Sequence, residues 1–278
     1  MQKPDTEQVY RGNLQKLVLK VAEERGLDLG QYRPTYVERR LAARLRTLGL
    51  HSYRQYAAYI DEHPEEYDQL LDTLTINVTD WYRDKPVYDL FASKIVPDLL
   101  VDKLRARQRM IRVWCAGCAT GEEPYSVAMT ILDAMSRTNE SFMLALTGTD
   151  IDPAALVVAA KAEYDVARIG HIPHAHRLRY VEVRGDKFVI KPEVAACVRF
   201  RQMNLFEDRP PGVVDVIFCR NVFIYFNRDQ QERVLEAFWS TLHKGGYLVL
   251  GRSEKMSTAF TQRFQLVSGR DRIYRKPA

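Results

Sequence analysis

The stretch Cys115-Ala116-Gly117-Cys118-Ala119-Thr120-Gly121-Glu122-Glu123-Pro124 holds residue types suited to three different chemistries. The spacing Cys115-x-x-Cys118 is that of a thiol redox pair or of half a zinc site. Glu122 and Glu123 stand close by, however, and neighbouring carboxylates raise a thiol pKa. Cys197 and Cys219 are isolated in sequence, so no metal site is expected. A glycine-bearing turn between a strand and a helix can also cradle phosphate. Here no lysine follows Gly121, and the loop is not G-x-G-x-x-G. Two carboxylates at a helix N-terminus suit its dipole but repel a phosphate, which disfavours a dinucleotide. The two cysteines then read as small, soft residues lining a pocket floor.

Those acids would instead welcome a ligand carrying hydroxyl and ammonium groups. The next strand-like segment, Met143 to Asp150, ends in Thr149-Asp150. An acid at that place can accept both hydroxyls of a ribose. S-adenosylmethionine has a ribose, a cationic sulfonium and an α-ammonium group, and no phosphate. Small residues at Ala116, Gly117, Ala119 and Gly121 let such a ligand approach the backbone. The competing reading makes Asp150 a cap for the following helix. Taken together, the acids and the small residues point to methyl transfer.

Positioning these residues requires an α/β framework. IRVWCA, MLALTGTD, VRFRQMN, VVDVIFCR and GGYLVLG read as strands. Helices are expected over 123–135, from Asp152-Pro153 to Ala162, and over 228–242. Such alternation predicts a mostly parallel, Rossmann-like sheet with helices on both faces. FQLVS and RIYRK, joined at Gly269-Arg270, predict a closing antiparallel hairpin. Between about 164 and 198 the alternation breaks, and RYVEV-RGD-KFVIK predicts a small β-subdomain insertion. Residues 1–75 read as all helical. Leu14, Leu17, Val18 and Val21 share one face before Gly26. Val37, Leu41, Leu45 and Leu48 form a stripe from Pro34 to Gly49. Ser52 is a candidate N-cap, and a fourth helix is expected from Pro64 to about Leu74. Residues 76–110 form a linker whose second half is helical.

The 278 residues carry a net charge of +5 and four cysteines. No apolar run is long enough to span a membrane, and the opening residues lack a signal-like core. So few cysteines make no disulfide framework, and a cytoplasmic setting is expected. A mild basic excess alone selects no partner. Its placement is more telling: Arg33, Arg40 and Arg44 follow at spacings of seven and four on one helix face, with Arg46 at its edge.

Four further motifs stand in a fixed order: Thr75-Ile76-Asn77-Val78-Thr79-Asp80-Trp81-Tyr82-Arg83, ATGEEPYS at 119–126, TDIDPAAL at 149–156 and CRNVFIYF at 219–226. With the GRSE segment at 251–254, they make nearly the whole chain resemble the CheR family of chemotaxis receptor methyltransferases. The resemblance implies S-adenosylmethionine as cofactor and S-adenosylhomocysteine as product. It implies methyl esterification of glutamates on the cytoplasmic helical bundle of chemoreceptors. It also implies roles for individual residues. Asn77, Thr79 and Arg83 match a cofactor-contacting bridge, Glu123 an acidic contact and Asp150 the ribose acid. Asn204 and Leu205 match the segment beside the adenine, and Asn221 and Val222 that after the fourth parallel strand. Arg83 and Tyr225 match positions near the transferring methyl. The arginine-bearing helix is the receptor-docking element, against the plainer reading of a solvated basic face. Thr75-Ile76 and Trp81-Tyr82 depart from the family's usual threonine doublet and paired phenylalanines, which bears on substrate fit.

The chemistry is consistent with that reading. A glutamate carboxylate, with a pKa of about 4.3, needs no general base at neutral pH. Arg83 can hold a carboxylate through its planar fork. Tyr225 either orients the incoming carboxylate or is a packing aromatic. The short turn Val183 to Lys187 lacks the longer glycine-bearing loop of tether-binding members, so independence from a C-terminal pentapeptide tether is expected. A nucleic-acid methyltransferase is the rival enzyme, but Asn221-Val222-Phe223-Ile224-Tyr225 lacks the prolines of an amine-methylating motif, and no aromatic platform is evident. A non-catalytic binding module is the other rival. Nothing in the sequence demands more than a monomer.

Overall fold

The structure is a computed structural model that describes residues 6–25, 29–74 and 77–278. Gly26, Thr75 and Ile76, which figured in the sequence reading, lie outside the described residues. The chain divides into two compact units.

The first unit gathers the helices up to Leu74 together with Tyr225–Gln230. Its helices are α1 (Thr6–Arg25), α2 (Pro34–Thr47), α3 (Tyr53–Glu62) and α4 (Glu66–Leu74). Pro34 starts α2 because its missing N–H is not needed in a first turn, and Gly49, at φ +67°, follows its end. The Ser52 hydroxyl caps α3 by accepting from the Gln55 amide at 3.2 Å. α4 begins two residues later than the sequence suggested, because Pro64 sits in a turn whose carbonyl receives the Tyr67 amide. The apolar faces meet in a core of Leu17, Val21, Val37, Leu41, Tyr56, Ile60 and Leu70. Backbone bonds bind the distant segment to this unit. The Arg33 amide donates to Tyr225 O at 2.8 Å, and the Asn227 amide to Gln31 O at 3.3 Å.

The second unit is built on a sheet ordered β6-β2-β1-β7-β8-β10-β9. Its strands are β1 (Met110–Ala116), β2 (Met143–Asp150), β6 (Val198–Gln202), β7 (Val214–Cys219), β8 (Leu242–Leu250), β9 (Gln265–Ser268) and β10 (Ile273–Arg275). β6, β2, β1, β7 and β8 run parallel; β10 pairs antiparallel with β8, and β9 with β10. Every residue of β7 is buried, as both covered faces require. The registers Ala116↔Thr149 and Asp150↔Gln202 bring neighbouring strands to their carboxyl ends together. That edge is where open α/β sheets bind ligands.

Alternation along β1 shows what covers each face. Trp114 meets Phe238 of α11 (Arg228–Thr241) edge-on at 5.1 Å. Phe218, paired with Cys115, points the other way and meets Phe91 at 5.0 Å. Phe91 opens a π-helical turn, Phe91–Ile95, between α5 (Lys85–Leu90) and α6 (Val96–Arg105). The helical half of the bridge is thus core rather than linker, with Val87, Phe91, Ile95 and Val96 buried. α7 (Glu122–Met135) and α8 (Pro153–Lys161) follow β1 and β2.

The insertion is a three-stranded antiparallel sheet ordered β3-β5-β4, of β3 (Glu163–Asp165), β4 (Val181–Arg184) and β5 (Lys187–Ile190). The hairpin follows the expectation; β3 and the helix α9 (His174–Tyr180) were not foreseen. The short helices α10 (Pro192–Ala195) and α12 (Thr258–Thr261) complete the unit. Among the described residues no helix is long and apolar enough to cross a membrane.

Candidate functional site

The loop after β1 is tied to the end of β2. The amides of Gly117 and Cys118 donate to Thr149 O at 2.8 and 3.0 Å. The Ala119 amide donates to Asp150 Oδ2 at 2.7 Å. Replacing Gly117 (φ +74°) strains the backbone and displaces Val222, since a Cβ there would lie 2.4 Å from Val222 Cγ2. Asp150 is not the helix cap. Asp152 caps α8 by accepting from the Ala154 and Ala155 amides, while Asp150 Oδ1 accepts from the Asp152 amide at 3.1 Å. A carboxylate offers about four acceptor positions, so the partly exposed Asp150 keeps about two unused. Burial raises its pKa, and the loop amides oppose that rise. Asn77 joins this cluster by donating from Nδ2 to Asp152 Oδ2 at 2.5 Å.

The adjacent glutamates have separate roles. Glu122 is fully buried. Its Oε1 pairs with Arg168 Nη1 at 2.5 Å, and its Oε2 accepts from the Thr120 hydroxyl at 2.7 Å. Arg168 also donates to Thr79 O at 2.7 Å, which places Thr79 through its carbonyl. Glu123 accepts from Arg220 Nη1 at 3.3 Å through Oε2 alone, among the described residues. Arg220 is anchored on its far side by Asp84 at 2.5 Å. Burial raises the Glu123 pKa; Arg220 opposes that, Glu254 adds to it and Arg83 opposes it.

The loop after β7 completes this edge. Asn221 sits at φ +61° with its Oδ1 buried and, among the described residues, without a hydrogen-bond partner. Val222 fills the space beside Gly117. Beside the loop, Glu254 closes the turn of the GRSE segment, its Oε2 accepting from the Gly251 amide at 2.6 Å. Burial raises the Glu254 pKa, while the amides of Gly251, Asn221, Phe223 and Ile224 hold it down. Beyond β6, Asn204 closes a turn, its Oδ1 accepting from the Phe206 amide at 3.0 Å, and Leu205 is half-buried within that turn.

Arg83 donates to Val78 O at 3.0 Å and lines an open cleft of about 480 Å³. The cleft runs between residues 80–85 and 170–177; Glu123, Asp150 and Asn221 are not in its wall. Tyr225 belongs to the first unit, where its ring meets Tyr36 at 4.9 Å. The four arginines also differ, and Arg33 is not on the helix face expected from its spacing, because it precedes α2 as the extended N-cap. Arg33 is exposed and donates from Nε to Phe226 O at 3.1 Å. Arg40 lies over the Tyr36 ring at 5.6 Å, and Arg46 is exposed. Arg44 forms a forked pair with Glu66, both bonds at 2.5 Å, and Tyr56 donates to the same carboxylate at 2.8 Å. Its charge is already matched inside the unit.

Cys115 and Cys118 are buried free thiols. Burial raises both pKa values first; Glu123 adds to the effect at Cys115 and Asp150 at Cys118. The second unit therefore carries Asn77, Thr79, Arg83, Asn204, Leu205, Asn221 and Val222 on its loops, Asp150 at the end of β2 and Glu123 in the first turn of α7, and Tyr225 is placed with the helices. Sequence reasoning missed Arg168 and Arg220, whose partners lie far away along the chain, and Glu254, whose charge the amides of the Asn221 loop help to balance.

The family description "CheR methyltransferase, SAM binding domain" matches residues 77–273, and "CheR methyltransferase, all-alpha domain" matches residues 12–75. A chemotaxis protein methyltransferase of Borreliella burgdorferi is 30% identical over 88% of this chain and 89% of its own. Chemotaxis protein methyltransferase 2 of Pseudomonas aeruginosa is 34% identical over 82% of this chain and 81% of its own. The chain also matches, at 32% identity over 87% of its length, about a quarter (25%) of an uncharacterized 104.1 kDa protein of Rhodobacter capsulatus. With both parts of one family's domain pair in order along it, the chain belongs to the CheR methyltransferase family and takes S-adenosylmethionine as its cofactor.

Proposed function

We propose that this methyltransferase of the chemotaxis family esterifies glutamate side chains on the cytoplasmic helices of chemoreceptors, releasing S-adenosylhomocysteine. The observation that carries the substrate class is Arg83. Its guanidinium lines an open cleft, and its side-chain hydrogen bond is to a neutral carbonyl, with no carboxylate partner among the described residues. A fork of this kind is free to receive a carboxylate.

The residues present fit the cofactor. Asp150 keeps unused acceptor positions for two hydroxyls. Glu123 keeps one oxygen clear of Arg220 for an ammonium group. Asn221 Oδ1 is a buried acceptor awaiting a donor. Asn77 and Thr79 act through Asp152 and Arg168, and Asn204, Leu205 and Val222 shape the walls. When bound, the cofactor supplies an electrophilic methyl group on a positively charged sulfur. The incoming glutamate arrives already ionised, so the protein's part is to orient it and to exclude water. Arg83 holds it loosely, since a tightly paired carboxylate is a poorer nucleophile, and Tyr225 orients it.

Residues 1–75 serve as the docking domain, with Arg33, Arg40 and Arg46 meeting an acidic receptor surface; Arg44 contributes by fixing α2 in place. The two-residue turn between β4 and β5 supports independence from a tether peptide. The protein works as a cytoplasmic monomer. The test is transfer of tritiated methyl to receptor-bearing membranes. Base-labile product supports the reading; base-stable product means N-methylation, and no product means a binding role. Arg83→Ala and Tyr225→Phe should each lower turnover at least about tenfold with cofactor affinity kept. Near-normal turnover in both removes these two assignments.

A further inference from the structure

The cleft beside Arg83 carries an imbalance that cofactor binding does not use. Its wall holds two acids and three side chains of fixed positive charge: Asp80, Asp84, Arg83, Lys85 and Arg177. Both acids are already engaged. Asp80 Oδ2 meets His171 Nδ1 at 2.6 Å and its Oδ1 accepts from the Trp81 amide at 2.9 Å, while Asp84 pairs with Arg220. Lys85 is paired with Asp89 on the exposed side of α5. Two guanidiniums remain. Arg83 has the Val78 carbonyl. Arg177 has no ion pair among the described residues, and its Nε is buried without a hydrogen-bond partner. An arginine held with a buried, unmet N–H and no counter-charge is a standing demand for an anion, best met by a planar carboxylate.

We propose that Arg177 is a specificity residue that receives a second carboxylate of the substrate segment, one neighbouring the glutamate to be methylated. The inference rests on the proposed reaction, because Arg83, on the wall of the same cleft, is the residue assigned to the reacting glutamate. Arg177 selects segments in which that glutamate has an acidic neighbour. It touches a non-reacting group, so it acts on substrate binding rather than on the bond being made.

The experiment compares the full-length wild-type enzyme with Arg177→Ala and Arg177→Lys on receptor membranes. Acids flanking the methylated glutamate are replaced one at a time by glutamine. Arg177→Ala should raise the receptor KM about tenfold, with kcat within about twofold and S-adenosylhomocysteine affinity unchanged. Arg177→Lys should fall between, keeping the charge but losing the fork. One flanking replacement should weaken the wild-type enzyme by a similar factor and leave Arg177→Ala indifferent. A KM unchanged in Arg177→Ala, or losses that simply multiply for every flanking acid, overturns the subsite while leaving the reaction standing. Inhibition by inorganic phosphate that Arg177→Ala abolishes, without dependence on any flanking acid, also overturns it. If the wild-type enzyme gives no base-labile product, the reaction fails and the subsite falls with it. Binding of S-adenosylhomocysteine reports that each variant is folded.

Discussion

Asp150, partly exposed, and Glu123, buried, both have raised pKa values, yet their attachments differ. Asp150 is held by backbone amides and Glu123 by a guanidinium. In Asp150→Asn the amide nitrogen cannot accept, so one of the Ala119 and Asp152 N–H groups loses its partner while the charge also disappears. Cofactor affinity should fall at least about tenfold, measured by calorimetry with S-adenosylhomocysteine. An affinity equal to wild type would remove Asp150 from the ribose role. The thiols make the opposite prediction. Burial, more than the acids that the sequence reading emphasised, keeps Cys115 and Cys118 protonated. The double variant Cys115→Ala/Cys118→Ala should methylate normally while losing roughly 1–2 kcal/mol of stability to the small cavities left. Loss of turnover at retained cofactor affinity would restore them to the chemistry.

At the scale of elements, α2 shows how the arginines grouped by spacing divide, Arg44 into an internal ion pair and Arg40 into the docking role proposed for it. Helical periodicity relates Arg40 and Arg44, one turn apart within α2, whereas Arg33 stands before the helix as its extended N-cap, and periodicity says nothing about a partner on another helix. Glu66, only 3% exposed, claims Arg44. Arg44→Ala leaves that carboxylate buried beside the Tyr56 hydroxyl alone and should cost roughly 3 kcal/mol in the helical unit. Arg40→Glu should raise the receptor KM several-fold and leave the melting temperature nearly unchanged. Thermal unfolding and kinetics on the two variants separate the roles; equal stability loss in both would refute the division. The same limit explains what else the sequence left hidden. Helices capped by Ser52 or Asp152, and strands of alternating or fully apolar residues, announce themselves locally. The pairs Glu122–Arg168 and Glu123–Arg220 join single residues remote along the chain, and the Glu254 charge is balanced in part by amides of the distant Asn221 loop. No spacing rule reaches them. β3 is three residues long and pairs only because β5 is beside it.

For the molecule as a whole, the raised carboxylates link cofactor binding to pH. Between the ordinary carboxylate range and their raised values, Glu123, Asp150 and Glu254 hold protons that the unfolded chain has released. The unfolded state binds fewer protons there, so the cofactor-free protein loses stability as pH rises through that window. A cationic ligand favours the ionised forms of Glu123 and Asp150. Affinity should therefore climb with pH over the same window, and binding should release protons at mildly acidic pH. Calorimetry with S-adenosylmethionine in two buffers of different ionisation heat measures that release. Proton uptake, or none, would contradict the assignment of these acids to the cofactor.

The segment Tyr225–Gln230 has a consequence for how the polypeptide is made. The helices ending at Leu74 leave the ribosome early, whereas the residues that take up the Arg33 amide and supply Asn227 follow only after β1 to β7 have been translated. The helical unit is therefore finished late, out of the order in which its parts emerge. A fragment cut just before Asn77 would lack a piece of its own architecture, and its polar groups at Gly30, Gln31 and Arg33 would meet water in place of chain.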